Sequence, residues 1–234
     1  MKTTILDKSK LVNSVFSKVH NKYDLMNDIM SFGIHRIWKE KFIDWMNPLP
    51  NTKLIDVASG TGDITQLYLN KLNNLGHAVC LEPNDQMLKQ GKTKLKNYKN
   101  IRWINAQAEN IPINDNTFDY YTISFGIRNV SDINLSLKEA FRVLKPGGRF
   151  MCLEFSKINN EFLNFLYKKY SKSIPYIGKF IVGSEKPYKY LIESIDKFLN
   201  QKQLAELMIK NGFTNVEFRN VTSGVSAIHS GWKI

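Results

Sequence analysis

A short glycine turn between an apolar strand and a helix constrains the fold of this chain more than any other feature. The strand is predicted over 54–58, and the turn over 59–63 reads Ser-Gly-Thr-Gly-Asp. Glycines let the backbone turn sharply and come close to a ligand. From Asp63 onward, apolar residues recur at helical spacing. A strand, a glycine turn and a helix N-terminus together predict a nucleotide-binding crevice.

The residues around this turn argue against a dinucleotide. The dinucleotide fingerprint needs a third glycine three residues after the second, where this chain has Thr65. Asp63 would repel a pyrophosphate, but a carboxylate suits a cationic ligand that is rich in hydroxyls. S-adenosylmethionine carries an ammonium, a sulfonium and a ribose, and it has no phosphate. Glu82 ends a second predicted strand over 78–81, where an acidic residue typically accepts the ribose hydroxyls.

Composition favours one large core. The chain has 234 residues, of which 43% are hydrophobic, and this is enough for a single domain with an appendage. No apolar run approaches the roughly 20 residues of a membrane span, and no signal peptide is recognisable. Cys80 and Cys152 lie in apolar strand patterns, so we expect buried thiols rather than a disulfide or a metal pair. These features predict a cytoplasmic location.

The formal net charge of +12 admits several partners. A basic surface suits nucleic acid or an anionic membrane, and it can also reflect a lysine-rich composition without function. Composition alone does not separate these alternatives.

Strands alternate with helices through the middle of the chain. Further strands are predicted over 101–106, 118–125 and 149–155, and a helix over 132–144 is expected to stop at Lys145-Pro146-Gly147-Gly148. This alternation indicates a mostly parallel, doubly wound α/β sheet, in which ligands bind beyond the carboxyl ends of the strands. A helix with Gly212 as its C-cap and a hairpin over 215–229 complete the chain.

We predict a single domain over 1–234 with four parts. These parts are a helical lid over 1–50, a cofactor-binding core over 51–156, a cap insertion over 157–195, and a closing helix and hairpin over 196–234.

Three runs of residues are particular to one protein family. They read Lys22-Tyr23-Asp24-Leu25-Met26-Asn27-Asp28, Met30-Ser31-Phe32-Gly33-Ile34-His35-Arg36 and Ile123-Ser124-Phe125-Gly126-Ile127-Arg128-Asn129-Val130. With them the chain resembles the ubiquinone/menaquinone biosynthesis C-methyltransferases, from Val15 to its end. The resemblance implies a Rossmann-like class I methyltransferase with a mostly parallel seven-stranded sheet and a C-terminal antiparallel hairpin. The N-terminal helical lid and the cap insertion after the fifth strand, predicted above from the order of the elements, complete this expected fold.

The resemblance implies that S-adenosylmethionine is the cofactor. The expected cofactor-binding residues are Gly60, Thr61, Gly62, Asp63, Glu82, Gln107, Ala108 and Ser124. The chain departs from the family twice, because Ser59 stands in place of the usual glycine and Glu82 in place of the usual aspartate. Glutamate reaches one methylene further and can still chelate two hydroxyls, so we expect binding to survive. Asp63 is expected to contact the methionine ammonium or to cap its helix.

The implied reaction is methyl transfer to a ring carbon of a polyprenylated benzoquinol or naphthoquinol. Only the reduced ring is electron-rich enough to attack a methyl sulfonium, and ionisation of a ring hydroxyl makes the ortho or para carbon more nucleophilic. The pocket should therefore exclude water and hold the reactants in line. No metal is required, and no cluster of residues at metal-ligand spacing occurs in the sequence.

Arg128 is the candidate for stabilising the phenolate, with Asn129 donating a hydrogen bond. The alternative for Arg128 is a structural salt bridge at a strand end. Arginine is a poor base because its pKa exceeds ~12. The proton acceptor is then a bound water, Asp24 or His35. Substrate binding is assigned to Tyr23, Arg128 and Tyr188.

Two other functions are compatible with parts of the sequence. A nucleic-acid methyltransferase would explain the charge, but the residues after the fourth strand lack the Asn/Asp-Pro-Pro-aromatic motif, so no nucleic-acid partner is expected. A catalytically silent subunit of a quinone-biosynthesis complex is the second alternative. Because polyprenyl quinols partition into bilayers, we expect transient membrane-surface contact through lysines and aromatics in 157–195. The quinol ring, prenyl length and oligomeric state stay open.

Overall fold

The structure is a computed structural model, and it describes residues 28, 31, 33–158, 161, 165, 167, 169, 170, 174 and 185–234. The predictions for Tyr23 and Asp24, and most of the cap insertion, lie outside these residues. The division into lid, core, cap and closing segment therefore stays a prediction.

Seven strands form one sheet in the order β3-β2-β1-β4-β5-β7-β6. They are β1 (Lys53–Val57), β2 (His77–Leu81), β3 (Ile101–Ile104), β4 (Phe118–Ser124), β5 (Leu144–Phe155), β6 (Thr214–Val221) and β7 (Ser226–Trp232). The first five strands are parallel, and β7 runs antiparallel to both β5 and β6. The predicted mostly parallel seven-stranded sheet with an antiparallel end is confirmed.

Helices cover both faces of this sheet. They are α1 (His35–Met46), α2 (Asp63–Lys71), α3 (Asp85–Lys94), α4 (Ile133–Val143), α5 (Lys186–Lys197) and α6 (Gln201–Lys210). One core cluster joins the buried faces of α1, α2 and α5 to the sheet, and a second joins α4 and α6 to it. Cys80 and Cys152 are buried free thiols in these strands.

Helix α1 forms because its buried residues recur at spacings of three and four. Its apolar members Trp38, Phe42 and Met46 are almost fully buried. The Ser31 hydroxyl accepts the N–H of His35, the first residue of the helix, at 3.1 Å. The Arg149 guanidinium donates to the carbonyls of Trp45 and Met46 and thereby fixes the other end of α1 to the sheet.

Two of the boundaries that differ from the predictions have a clear cause in the structure. Strand β5 begins at Leu144 rather than Arg149, because Gly147 and Gly148 exchange backbone hydrogen bonds with Lys233 just after β7. The segment predicted to stop the helix therefore extends the strand. Helix α6 has Asn211 as its C-cap, and Gly212 with φ of 98° is the next residue, where a left-handed conformation favours glycine.

Part of the positive charge gathers away from the carboxyl ends of the strands. A groove of about 580 Å³ lies where β1 to β4 begin, and its lining includes Lys53, Lys99 and Arg102. This edge is opposite to the crevice described below. Among the described residues, no helix has both the length and the apolarity needed to cross a bilayer.

Candidate active site

The site lies where the strand order reverses. Strand β1 pairs with β2 on one side and with β4 on the other, all in parallel. The connections from these strands leave in opposite directions, which opens a crevice at their carboxyl ends. The glycine turn follows β1, and a 3₁₀ turn over Ile127–Asn129 follows β4. The predicted cofactor and catalytic segments are therefore neighbours.

The glycine turn needs glycine at both of its positions. Gly60 and Gly62 have φ of 56° and 83°, a conformation that side chains disfavour. A Cβ on Gly62 would also lie 2.7 Å from the Leu95 side chain. Gly62 is the N-cap residue of α2, which begins at Asp63 as predicted.

Two non-glycine residues at the strand ends also have a left-handed backbone. Ala58, just after β1, has φ of 51°, and Phe125, just after β4, has φ of 55°. Gly126 follows Phe125, and its lack of a side chain leaves room for Ala58. A Cβ added at Gly126 would lie only 2.6 Å from the Cβ of Ala58. Such backbone strain tends to cluster at functional sites.

Glu82 is buried just after β2 and binds the glycine turn. Its two carboxylate oxygens accept the backbone N–H groups of Gly60 and Asn84, each at 2.9 Å. Burial raises the pKa of Glu82 to about 7. A carboxylate has about four acceptor positions, so capacity remains for two ribose hydroxyls.

Ser124, Gln107 and Ala108 lie at or beyond the carboxyl ends of β4 and β3, at the same edge of the sheet as the glycine turn. Ser124 is the last residue of β4, and its buried hydroxyl has no hydrogen-bond partner among the described residues. Gln107 and Ala108 follow β3, with Gln107 exposed and Ala108 buried. An unpartnered hydroxyl, a buried carboxylate and a glycine turn fit the sugar and methionine parts of S-adenosylmethionine.

Asp63 contacts two lysines. Lys39 of α1 lies 2.5 Å from one of its oxygens, and Lys94 of α3 binds the other. Burial alone would raise the pKa of Asp63, but the charges of Lys39 and Lys94 outweigh it and hold the pKa well below its usual range. The Asp63 side chain does not cap its own helix. Contact with the methionine ammonium stays a prediction.

Arg128 forms a buried ion pair with Glu154 of β5. Nη1 of Arg128 donates to Glu154 Oε1 and, at 2.8 Å, to the Phe125 carbonyl. Both side chains are 1% exposed. Burial raises the pKa of Glu154, although the Arg128 charge opposes this effect. Nε and Nη2 of Arg128 are buried without a hydrogen-bond partner in the described part of the chain.

Helix α5 contacts Asn129, the residue after Arg128, through Tyr190 rather than Tyr188. The Tyr190 hydroxyl donates to Asn129 Oδ1 at 3.1 Å, and the Asn129 amide lies 3.4 Å from the Phe125 carbonyl. Tyr188 is fully buried in the core cluster shared with α1. Its role in substrate binding stays a prediction.

Several residues that contact the predicted site were absent from the sequence-based site, and Glu154, Lys39 and Tyr190 are among them. An acid inside the apolar pattern of β5 and a lysine on the buried face of α1 were the available signals. Neither signal identifies its partner, because Lys39 and Asp63 are 24 residues apart and Arg128 and Glu154 are 26 apart.

Comparison with known sequences gives a match over nearly the full chain. The family model described as the ubiE/COQ5 methyltransferase family matches residues 3–233. A ubiquinone/menaquinone biosynthesis C-methyltransferase UbiE from Rickettsia bellii is 49% identical over 97% of this chain and 94% of its own length. The protein of the same name from Rhizobium rhizogenes is 47% identical over 97% of this chain and 91% of its own length.

Solved structures share the fold at low identity. A SAM-dependent methyltransferase from Thermotoga maritima superimposes with a TM-score of 0.68 at 20% identity, covering 95% of this chain and 100% of that one. The CurJ carbon methyltransferase has a TM-score of 0.64 at 15% identity, covering 87% of this chain and 55% of that one. These similarities establish the class I methyltransferase fold alone.

Proposed function

The chain belongs to the ubiE/COQ5 methyltransferase family, and from that premise we propose how its residues carry out the reaction. It is an S-adenosylmethionine-dependent C-methyltransferase that acts on a quinol ring in ubiquinone/menaquinone biosynthesis. The match over residues 3–233 carries this conclusion, supported by relatives that are nearly half identical over almost their whole length. S-adenosylmethionine supplies an electrophilic methyl group when it is bound.

We propose that Arg128 stabilises the ring oxygen through oriented N–H groups. Its charge is matched by Glu154, so the pair is close to neutral and a net positive charge is not its main contribution. Nη1 is held by Glu154 and Phe125, which leaves Nε and Nη2 as donors for a phenolate. A low local dielectric strengthens such hydrogen bonds. Asn129, held by Tyr190, adds an amide donor.

Methyl transfer by the isolated protein tests this function. Purified protein should move label from S-adenosylmethionine to a reduced demethylated quinol with a short prenyl chain. The oxidised quinone should accept no label, because its ring is too electron-poor to attack a sulfonium. Absence of transfer to any reduced benzoquinol or naphthoquinol would favour the catalytically silent subunit instead.

The Glu82→Ala substitution should weaken S-adenosylmethionine binding at least about tenfold, because hydrogen bonds to a charged group contribute about 1.5–3 kcal/mol. Binding of S-adenosylmethionine should also weaken as the pH falls below about 7, because protonated Glu82 is a poor acceptor for hydrogen bonds from the ribose hydroxyls. Calorimetry across this pH range measures both effects. Glu139→Ala is the control, because Glu139 also accepts a backbone N–H, from Ile111, but lies on α4. Unchanged affinity in Glu82→Ala would contradict the ribose assignment.

We also propose that the protein visits the membrane surface to collect its substrate. The sequence of 157–195 interleaves lysines with Phe and Tyr, a mixture that suits an interface. Each basic side chain near an anionic leaflet contributes about 1 kcal/mol. Co-sedimentation with anionic vesicles should fall with added salt and with the combined change of Lys168, Lys169 and Lys172 to Gln. Binding that is absent at low salt, or unaffected by the triple change, would leave delivery to a partner protein.

A further inference from the structure

His35 has one ring nitrogen bound to a carboxylate and the other unused. Its Nε2 lies 2.9 Å from Asp28 Oδ1, and the residue is 1% exposed. Its Nδ1 is buried and has no hydrogen-bond partner in the part of the chain that the structure describes. A histidine that is oriented by an acid through one nitrogen presents the other nitrogen for chemistry.

Asp28 is itself held in place. The Arg36 guanidinium donates to both of its oxygens, at 2.6 and 2.9 Å. Burial tends to raise the pKa of Asp28, but hydrogen bonds from Arg36 and His35 lower it below its ordinary value. An ionised carboxylate only accepts hydrogen bonds, so the proton of a neutral His35 lies on Nε2. Nδ1 then carries the lone pair, as a base requires.

His35 shares a helix face with residues that reach the crevice. Residues three and four positions apart lie on one face of a helix, and these are Trp38 and Lys39. The Trp38 ring lies 6.3 Å from the Phe125 ring and 6.0 Å from the Phe155 ring. Lys39 binds Asp63 at the end of the glycine turn. His35 is therefore one helical turn from both sides of the crevice.

We propose that His35, oriented by Asp28, is the catalytic base that removes the ring proton after methyl transfer, an assignment that rests on the proposed function. It selects among the acceptors that the sequence left open, and Asp28 is its positioning residue. In this scheme Arg128 stabilises the ionised ring oxygen, and His35 removes the proton from the methylated ring carbon.

The proton transfer balances without any further reagent. A carbon–carbon bond forms to the methyl group as the sulfur–carbon bond breaks, and the sulfur keeps that electron pair. The ring carbon then carries both the methyl group and its original hydrogen. As this carbon–hydrogen bond breaks, its electrons restore the aromatic ring, and the proton passes to Nδ1. The imidazolium is stabilised by Asp28 and returns its proton to solvent.

The charged groups around His35 keep it neutral before the reaction. Burial lowers its pKa, the charges of Lys39 and Arg36 lower it further, and Asp28 opposes them. Lys39 is in turn paired with Asp63. Because the resulting pKa is below the ordinary value, the base form predominates at pH 7. At saturating S-adenosylmethionine, where protonation of Glu82 does not limit cofactor binding, turnover should therefore fall only when the pH drops below the usual range of histidine.

The His35→Gln substitution tests this assignment with a ring-deuterated quinol. Turnover should fall about 10²-fold or more, while S-adenosylmethionine affinity stays unchanged. The variant should show a primary deuterium isotope effect on turnover that the wild type lacks, because proton removal becomes rate-limiting. The fall in turnover at low pH should disappear from the pH profile of His35→Gln. Added imidazole should restore activity to the His35→Ala variant. A packing role would produce neither the isotope effect nor the rescue.

His229→Gln is the matched control, because His229 is also buried with Nδ1 unpartnered among the described residues, but lies on β7. It should show no isotope effect. Asp28→Asn covers the case that His35→Gln does not fold. In Asp28→Asn, the fall in turnover at low pH should move to lower pH, because Asp28 raises the pKa of His35 in the wild type. Folded variants with wild-type turnover and no isotope effect would overturn the assignment. A wild type without methyl transfer would instead overturn the proposed function.

Discussion

Turnover of the Arg128→Ala variant should fall by about 10²–10³-fold, while its affinity for S-adenosylmethionine stays close to that of the wild type. Nε and Nη2 of Arg128 are buried donors without a partner among the described residues, and the proposed function has them donate to a ring oxygen. Such donors act where charge develops in the transition state, so their loss lowers kcat. Steady-state kinetics with a reduced quinol and calorimetry with the cofactor measure the two quantities.

Arg142→Ala is the matched control for Arg128→Ala. Arg142 also pairs with an acid, Glu139, and donates to the carbonyls of Ile111 and Ile113, but none of these residues belongs to the proposed machinery. Folded Arg142→Ala protein should therefore keep its turnover. If Arg128→Ala keeps its turnover as well, Arg128 is structural. If it loses cofactor affinity to the same extent as turnover, Arg128 belongs to the cofactor site.

The central strands of the sheet could be predicted from the sequence because they are covered on both faces. Strands such as β1 and β4 then appear as short apolar runs rather than as alternating patterns. The glycine turn was equally predictable, since Gly60 and Gly62 adopt a backbone conformation that few other residues tolerate. Local sequence determines both features.

Features that depend on distant partners could not be predicted in this way. The start of β5 depends on hydrogen bonds between Gly147 and Lys233, which are far apart in sequence. The environment of Asp63 depends on Lys39 and Lys94, which come from two other helices. Sequence periodicity indicates that a residue is buried, but it does not show which charge lies against it.

Arg128 illustrates this limit most clearly. A catalytic role and a structural salt bridge were alternatives at the sequence level, yet the geometry accommodates both in one side chain. Nη1 serves the bridge to Glu154, and Nε and Nη2 have no hydrogen-bond partner among the described residues. The stability of the pair and its catalytic contribution can therefore be measured separately.

The Glu154→Ala substitution should destabilise the protein by about 3–5 kcal/mol, because it leaves a buried guanidinium without its counter-ion. Both side chains are 1% exposed, so solvent cannot take over the role of the carboxylate. Chemical denaturation followed by circular dichroism measures the free energy of unfolding. Glu193→Ala is the control, since the pair of Glu193 with Lys197 is exposed and should contribute little.

The double variant Arg128→Met/Glu154→Leu separates a lost attraction from an uncompensated charge. If the cost in Glu154→Ala comes from the unpaired guanidinium, replacing both partners with apolar side chains should recover much of the stability, since buried ion pairs often exchange for apolar packing at little cost. Turnover should stay low in the double variant, because the donors of Arg128 are gone. A double variant as unstable as Glu154→Ala would show that Glu154 stabilises the fold mainly through the backbone N–H of Phe155, which it accepts at 2.9 Å.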